Sequence, residues 1–310
     1  MLAVRGAPPG VEVVEIDEPD GPWELVRIRS ASICASDFTY LRYGTTKVLG
    51  HELAGTLADG TAVAIEAIFG CDDCEHCAEG SYNHCATVST AALGITADGG
   101  MSEWFRVPAR SLVRLPEGLD VADAALVEPT AVAWHCVRTA GTAPGMRVAV
   151  VGAGAIGLMA LASARALGAA EVSLEARHPH QIELGERLGA TRPSGHYDVV
   201  IEAAGSESAL HRAAELARPG GSLGVLGVFP PGTEWPQAEC FHKEVRTVPA
   251  LGYCTHDHGR DFDEAAALLA AEPDLVDALI THRFPIEDAA EAYRVAADKA
   301  AGAIRVVVEP

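Results

Sequence analysis

Four cysteines lie within 15 residues of one another, at a spacing that suits a metal ion. They are Cys71, Cys74, Cys77 and Cys85. Four thiolates can close a tetrahedral shell around zinc and leave no open position, which is typical of a structural site. Disulfides are the alternative for such a cluster. His76 and His84 lie in the same loop and could replace a cysteine, but a complete set of thiolates makes this unnecessary. The stretch predicts a structural zinc lobe.

A cysteine and a histidine upstream of that loop are candidates for a second metal site. Cys34 is followed by Ser36 and Asp37, and His51 is followed by Glu52. A thiolate and a neutral imidazole are both preferred zinc ligands, and Asp37 could fix the tautomer of His51 by accepting a hydrogen bond from its far nitrogen. Ser36 offers a hydroxyl that can accept and donate a proton. A buried cysteine and a core histidine would give the same pattern, so both interpretations stay open here.

Three glycines predict a dinucleotide site. A short apolar run, Val148–Val151, is followed by Gly152, Gly154 and Gly157, and Ala155 and Ile156 complete the G-x-G-x-x-G spacing. Between a strand and a helix, such glycines permit a tight turn, a close approach of the backbone to a pyrophosphate, and close packing of helix on strand. A glycine-rich turn that only packs is the alternative.

The end of the next predicted strand bears on which nicotinamide is bound. NAD-preferring sites hold an acidic side chain near this point for the ribose 2′-hydroxyl. This chain has Ala176 there, followed by Arg177 and His178, which could hold a 2′-phosphate. Glu175 is the counter-argument, although its side chain would face opposite to that of Ala176 in a strand. The pattern favours NADP(H), with NAD(H) as the alternative.

Length, net charge and cysteine spacing indicate which partners and which location to expect. The chain has 310 residues, enough for two domains, and a formal charge of −20, which disfavours nucleic acid and anionic membranes as partners. The first residues lack the basic start and long apolar core of a signal peptide. The cysteines are not spaced as a disulfide framework, so we expect a cytoplasmic protein with reduced thiols.

The rest of the chain shows a regular order of predicted strands and helices. Short apolar runs broken by prolines over residues 1–30 indicate an antiparallel β start, and residues 99–116 indicate further β structure with turns. Glu128 and Pro129 open a helix, Pro129 fitting its first position. From Arg147 the pattern predicts strands over 147–151, 171–175, 197–201 and 222–228, and helices over 156–167, 179–188 and 207–217. Such alternation implies a parallel sheet covered on both faces. Helices over 262–271 and 286–297 and a strand over 304–308 follow.

Taken together, these residues closely resemble the zinc-dependent medium-chain alcohol and polyol dehydrogenases, in particular the sorbitol and threonine dehydrogenase branch. The resemblance runs nearly end to end and includes the closing motif Ala278–His282. It implies an α/β architecture: a Rossmann doubly wound parallel sheet over 129–257, and a discontinuous, mainly β (GroES-like) catalytic domain over 1–128 and 258–310 that carries the structural zinc lobe.

The resemblance also implies roles for single residues. Cys34, His51 and Glu128 match the ligands of the catalytic zinc, and Glu52 matches a glutamate that replaces water on the zinc in some members. Ser36 matches the hydroxyl that contacts the substrate oxygen and begins a proton relay. Thr39 stands where the family often has the histidine that ends the relay; a hydroxyl passes a proton but does not store one near neutral pH. Ala35 replaces an arginine found in some members, and the chain is shorter than usual between Leu53 and Glu66.

The implied activity is hydride transfer between NADP(H), or NAD(H), and an alcohol or polyol or its carbonyl product. Two zinc ions per chain and a homo-dimer or homo-tetramer are implied as well. Two alternatives remain open from the residues. The same scaffold could reduce an imine or an activated C=C bond, or it could be a non-catalytic NADPH-binding or redox-sensing protein that holds a single zinc.

Overall fold

A computed structural model describes residues 1–298 and 301–310. The chain divides into two compact units. The first comprises Met1–Glu128 and Cys254–Pro310, and the second comprises Pro129–Tyr253. The second boundary falls between residues 253 and 254, whereas the domain prediction places it between 257 and 258. Each unit is described in turn below.

The amino-terminal part of the first unit is mainly β. Its strands are β1 (Leu2–Ala7), β2 (Gly10–Glu15), β3 (Glu24–Ser32), β4 (Glu52–Thr56), β5 (Ala62–Ile65), β6 (Trp104–Val107) and β7 (Leu112–Arg114), and its helices are α1 (Ala35–Arg42), α2 (Glu75–Ala78) and α3 (Val88–Ala91). Single 3-10 turns lie at Tyr82–His84, Ala109–Ser111 and Ala124–Leu126. β1 and β2 form an antiparallel hairpin, and β3, β4, β5 and β7 pair antiparallel in that order. The antiparallel start predicted from the prolines is confirmed.

The second unit is an α/β layer structure. Its elements are α4 (Val127–Thr139), which begins at the last residues of the first unit, then β8 (Arg147–Val151), α5 (Ala155–Ala166), β9 (Glu171–Glu175), α6 (Pro179–Arg187), β10 (Tyr197–Glu202), α7 (Glu207–Leu216), β11 (Ala217–Val225), α8 (Gln237–His242) and β12 (Arg246–Pro249). The five strands lie in the order β12-β11-β10-β8-β9, and all neighbours are parallel. The predicted parallel sheet is confirmed, with β11 starting earlier and ending earlier than expected.

One strand of the usual six-stranded Rossmann order is reduced to a single bridge. Thr191 pairs in parallel with Ser173 of β9, and backbone hydrogen bonds link Thr191 to Val172 and Leu174. With Thr191 counted as the third strand, the order is 3-2-1-4-5-6. The order reverses between β8 and β10, and in sheets of this kind the ligand crevice lies at such a reversal.

Apolar side chains from helix and sheet build the core of the second unit. Ala149 and Val200 on the strands pack with Leu210, Ala213 and Ala214 of α7. These three helical positions recur at the spacing of one helix face, so α7 buries a single apolar stripe against the sheet. The strands and this helix therefore form a rigid support for the loops at their carboxyl ends.

The carboxy-terminal part returns the chain to the first unit. It contains β13 (Thr255–His256), β14 (Gly259–Arg260), α9 (Asp261–Ala271), α10 (Pro273–Leu279), β15 (Ile280–Pro285), a 3-10 turn at Ile286–Asp288, α11 (Ala289–Ala297) and β16 (Arg305–Glu309). α10 was not predicted. β16 pairs antiparallel with β3, which completes the sheet β15-β16-β3-β4-β5-β7, and β6 also pairs with β3. Strands from the beginning and from the end of the chain thus share one sheet and one apolar core, which includes Ile28, Leu53 and Val308.

Among the helices that the structure describes, none combines the length and the hydropathy needed to cross a bilayer.

Candidate functional site

Three potential metal ligands come together where α1 and β4 begin. Cys34 directly precedes α1, whereas His51 and Glu52 lie at the start of β4, and one ligand atom from each side chain lies within 4.8 Å of the others. Ser36, in the first turn of α1, places its hydroxyl oxygen 3.3 Å from Nε2 of His51. A thiol, an imidazole, a carboxylate and a hydroxyl therefore share one small volume of the first unit.

Asp37 contacts two members of this group, Cys34 and His51. Its Oδ2 accepts hydrogen bonds from the backbone N–H of Cys34 at 3.1 Å and from the hydroxyl of Tyr293 at 3.1 Å. Its Oδ1 lies 3.6 Å from Nδ1 of His51, an ion-pair distance rather than a hydrogen bond. Burial raises the pKa of Asp37, and the neighbouring His51 opposes that shift. The carboxylate of Asp37 therefore lies beside the ring nitrogen of His51 that faces away from Ser36.

Glu52 is held by a cation from the far end of the chain. Nη1 of Arg305, at the start of β16, lies 2.7 Å from each carboxylate oxygen of Glu52 and also donates to the carbonyl oxygen of Ile33. Both charged side chains are buried. Because a buried charge is costly unless it is paired, Arg305 supplies the counter-charge that a buried carboxylate at this position requires.

Glu128 is buried at the start of α4 and lies outside the group of atoms within 4.8 Å. Burial raises its pKa to about 8, while the nearby His51 lowers it and the nearby Glu52 raises it. Burial, followed by the charge of Glu52, also raises the pKa of the Cys34 thiol. A divalent cation among these groups would offset the cost of ionising a thiol and a carboxylate. The donor set therefore fits zinc, which prefers sulfur, nitrogen and carboxylate oxygen.

Thr39 lies one turn beyond Ser36 on α1. Its hydroxyl oxygen accepts a hydrogen bond of 3.2 Å from the guanidinium of Arg42. The two hydroxyl residues stand at i and i+3, which places them on the same side of the helix.

The four-cysteine loop also closes around one point. Ligand atoms of Cys71, Cys74, Cys77 and Cys85 lie within 4.8 Å of one another, and all four are free thiols. Sγ of Cys74 lies 3.5 Å from that of Cys77. Hydrogen bonds with Thr87 lower the pKa of Cys85 to about 6, which favours the thiolate that a metal requires. The loop has the geometry of a closed tetrathiolate site and contains no disulfide.

The glycine turn follows β8 as predicted. Gly152 has a φ of +113°, and a Cβ atom on Gly157 would lie 1.7 Å from the carbonyl oxygen of Gly152. A Cβ atom on Gly154 would meet nothing within 4 Å. α5 begins at Ala155, and Ile156 lies in its first turn, so an open space faces a helix N-terminus. A helix N-terminus favours phosphate groups, and the turn therefore fits a dinucleotide.

The end of β9 lies against this turn. The backbone N–H of Gly152 donates to the carbonyl oxygen of Glu175 at 3.0 Å. Ala176 is half-buried, Arg177 and His178 are exposed, and His178 directly precedes α6. The segment that follows β9 thus presents two basic side chains and a second helix N-terminus beside the glycine turn.

A polar cluster around the buried Glu66, which sequence reasoning missed, joins the thiol-rich loop to the carboxy-terminal part. Glu66, directly after β5, accepts hydrogen bonds from the Tyr82 hydroxyl at 2.5 Å and from Nε of Arg260 at 2.8 Å. Arg260 also donates to the carbonyl oxygen of Arg110. The three polar side chains come from distant stretches of chain, so no local pattern signals the contact. The cluster ties the thiol-rich loop to β14.

Comparison with known proteins agrees with this geometry. A family model described as the alcohol dehydrogenase GroES-like domain matches residues 21–117, and one described as the glucose dehydrogenase C-terminus matches residues 121–309. L-galactonate-5-dehydrogenase of Escherichia coli (strain K12) is 33% identical over 315 residues, which covers 90% of this chain and 89% of that protein. Sorbitol dehydrogenase 2 of Saccharomyces cerevisiae is 31% identical, covering 88% and 87%. A crystal structure from Sinorhizobium meliloti 1021, assigned as a zinc-binding dehydrogenase and bound to NADP, superposes with a TM-score of 0.86 at 29% identity, covering 100% of this chain and 99% of that one.

Proposed function

This chain belongs to the zinc-dependent medium-chain alcohol and polyol dehydrogenases, and we propose that its substrate is a polyol or a hydroxylated sugar acid. It is an oxidoreductase that transfers hydride between an alcohol and the corresponding carbonyl compound. The similarity to proteins named for sorbitol and for L-galactonate supports the substrate class. The observation that carries the proposal is the meeting of Cys34, His51 and Glu52 within 4.8 Å, with Glu128 buried near His51.

We propose Cys34, His51 and Glu128 as the protein ligands of the catalytic zinc, with Glu52 as an alternate. The contact between Arg305 and Glu52 supports this choice, because Nη1 of Arg305 donates to both oxygens of Glu52. Glu128 is buried in the field of His51 and carries no such contact among the described hydrogen bonds. Cys71, Cys74, Cys77 and Cys85 would hold a second, structural zinc.

When bound, zinc would supply a Lewis acid for the alcohol oxygen, and the oxidised nicotinamide would accept a hydride, which carries two electrons and one proton; a second proton leaves from the substrate hydroxyl. Ser36 takes the proton from the substrate hydroxyl, since its own hydroxyl can accept one proton and release another. Thr39, one turn along α1, is the next hydroxyl on the proposed route. Asp37 keeps the imidazole of His51 in a single orientation, which holds the ligand shell in place.

We further propose that NADP(H) is the preferred cofactor, held by the glycine turn and by Arg177 and His178. Two exposed basic side chains at the start of α6 support a 2′-phosphate at this point, because cations and a helix N-terminus both favour an anion. The NADP found in the solved structure from Sinorhizobium meliloti 1021 supports the same choice. A homo-dimer or homo-tetramer and a cytoplasmic location stay predictions, and light scattering of the purified protein would test the former.

The test is an activity screen combined with metal analysis. Purified protein is supplied with polyols, sugar acids, aldehydes and ketones, each with both nicotinamides, and zinc is counted by mass spectrometry. We expect turnover of a polyhydroxylated alcohol and two zinc ions per chain. Cys34→Ser should abolish turnover and leave one zinc, whereas Cys240→Ser, at a half-buried cysteine outside both clusters, should change neither. Near-normal activity in Cys34→Ser would overturn the proposed site.

A further inference from the structure

The acidic side chain at the end of β9 is held by a single arginine of α7. Nε of Arg212 lies 2.9 Å from Oε1 and 2.9 Å from Oε2 of Glu175. Nη1 of the same arginine reaches Glu215 at 3.1 Å. α7 is anchored to the sheet by Leu210, Ala213 and Ala214, so Arg212 projects from a rigid element. The position of the Glu175 carboxylate is therefore set by α7 rather than by β9 alone.

This pair lies beside the predicted cofactor turn. The carbonyl oxygen of Glu175 accepts a hydrogen bond from the backbone N–H of Gly152, the first glycine of the turn. An acidic side chain at a strand end about 20 residues beyond such a turn accepts hydrogen bonds from the ribose 2′-hydroxyl in NAD sites. An ionised carboxylate there also repels a 2′-phosphate. Glu175 is the one acidic residue between Leu174 and Arg177, so its state bears directly on the choice of cofactor.

We propose that Arg212 is a specificity-determining residue that holds Glu175 in an ion pair and thereby removes the group that would select NAD(H). The inference rests on the proposed preference for NADP(H) and gives it a second cause. Arg177 and His178 attract the 2′-phosphate, and Arg212 cancels the negative charge that would repel it. Both contacts from Arg212 go to the two oxygens that a ribose hydroxyl would otherwise use.

Removal of the arginine should therefore leave the partly exposed carboxylate of Glu175 without its counter-charge. In Arg212→Ala we expect the affinity for a 2′-phosphorylated nucleotide to fall about tenfold or more relative to the unphosphorylated one, since unpaired like charges repel strongly at short range. Binding is measured by calorimetry with 2′-phospho-ADP-ribose and ADP-ribose, which report the adenosine side without turnover. Glu215→Gln, which removes only the other partner of Arg212, should leave the ratio of affinities unchanged.

A double variant separates the proposed role from direct contact between Arg212 and the phosphate. If Arg212 acts through Glu175, then Glu175→Gln combined with Arg212→Ala restores the wild-type ratio, because no carboxylate is left to repel the phosphate. If Arg212 binds the phosphate itself, the double variant stays as weak as Arg212→Ala, and the proposal is overturned. An unchanged ratio in Arg212→Ala overturns it as well.

The wild-type ratio tests the proposed cofactor preference by itself. A wild-type protein that binds ADP-ribose more tightly than its 2′-phosphorylated form overturns that preference and the role of Arg212 with it. A wild-type protein that prefers the phosphorylated form, together with variants that do not differ from it, overturns only the role of Arg212.

Discussion

One guanidinium nitrogen of Arg305 lies 2.7 Å from both carboxylate oxygens of Glu52, and 253 residues of chain separate the two. The pair connects the start of β16 with the start of β4, beside two proposed zinc ligands. It thus links the closing strand of the sheet to the chemistry of the first unit. Because both groups are buried, removing one partner leaves an uncompensated charge.

Arg305→Met should destabilise the first unit by about 3–5 kcal/mol, the usual cost of breaking a buried ion pair by removing one partner. Thermal and denaturant unfolding of the purified protein would measure this. Arg294→Met is the matched control, since Arg294 pairs with Glu291 on an exposed helix face, and its loss should change stability far less than the loss of Arg305. Equal stability of the two variants would contradict the role assigned to Arg305.

Tyr293→Phe should weaken the catalytic zinc site while preserving the fold. The variant removes the hydroxyl that donates to Asp37, which in turn faces His51. Partners behind a metal ligand typically contribute about tenfold or more to metal affinity, so chelator competition should show faster loss of one zinc. Tyr197→Phe deletes a buried hydroxyl that contacts Ser173 in the second unit and should keep both zinc ions. Equal zinc retention in the two variants would argue against a positioning role for Tyr293.

Cys85→Ser should reduce the zinc content from two ions to one and lower the unfolding temperature. A structural zinc contributes directly to folding free energy, and the loop around it has few buried apolar residues of its own. Metal analysis and calorimetry measure both effects. Cys34→Ser should also lose one zinc but with a smaller change in unfolding temperature. The reverse order of stabilities would show that the two clusters have been assigned the wrong roles.

Two glycines of the turn should respond differently to alanine. In Gly157→Ala the new methyl group meets the carbonyl oxygen of Gly152 at 1.7 Å, so α5 must move away from β8 and stability should fall by about 1–3 kcal/mol. In Gly154→Ala the methyl group enters open space at a φ of −79°, and the fold should be unchanged. That same space is where a pyrophosphate would approach, so nucleotide binding should weaken. Unfolding curves and calorimetric titration with ADP-ribose distinguish the two effects, and identical behaviour would refute the assignment.

Asp198→Asn should change how stability depends on pH. The backbone N–H of Arg147 and the guanidinium of Arg218 lower the pKa of Asp198. Its ionised form therefore stabilises the fold above the ordinary carboxyl pKa, and that contribution disappears as the pH falls through the lowered value. We expect a loss of about 1 kcal/mol at pH 7, because the pair is partly exposed, and a difference that shrinks as the pH falls below the ordinary carboxyl pKa. A stability difference between wild type and Asp198→Asn that grows as the pH falls would contradict this prediction.

The sequence predicts the local parts of this structure well. The glycine turn, the parallel strands around it and the four-cysteine loop all depend on residues close in the chain, whose types have few other uses. The joining of Cys34 with His51 was also expected, since both residue types suit zinc. The predictions of the fold and of the site therefore depended mainly on cysteines, histidines and glycines.

What the sequence did not predict depends on partners far apart in the chain. Arg305, Tyr293 and Arg260 carry no local pattern, because an arginine or tyrosine in a helix or strand is ordinary until its neighbour is known. The pairing of Glu175 with Arg212 is of the same kind. The helix α10 was missed for a different reason: it has only seven residues, begins at Pro273, and lies directly between α9 and β15.

The pairing of β16 with β3 has a consequence for biosynthesis. At about 5–20 residues per second, a ribosome makes the arginine that neutralises Glu52 on the order of ten seconds or more after Glu52 itself. The contiguous stretch Pro129–Tyr253 has everything it needs to complete its own sheet in that interval. The sheet of the first unit, by contrast, needs β16 from the end of the chain. We therefore expect the second unit to complete its fold before the first, although its residues are translated later than β1 to β7.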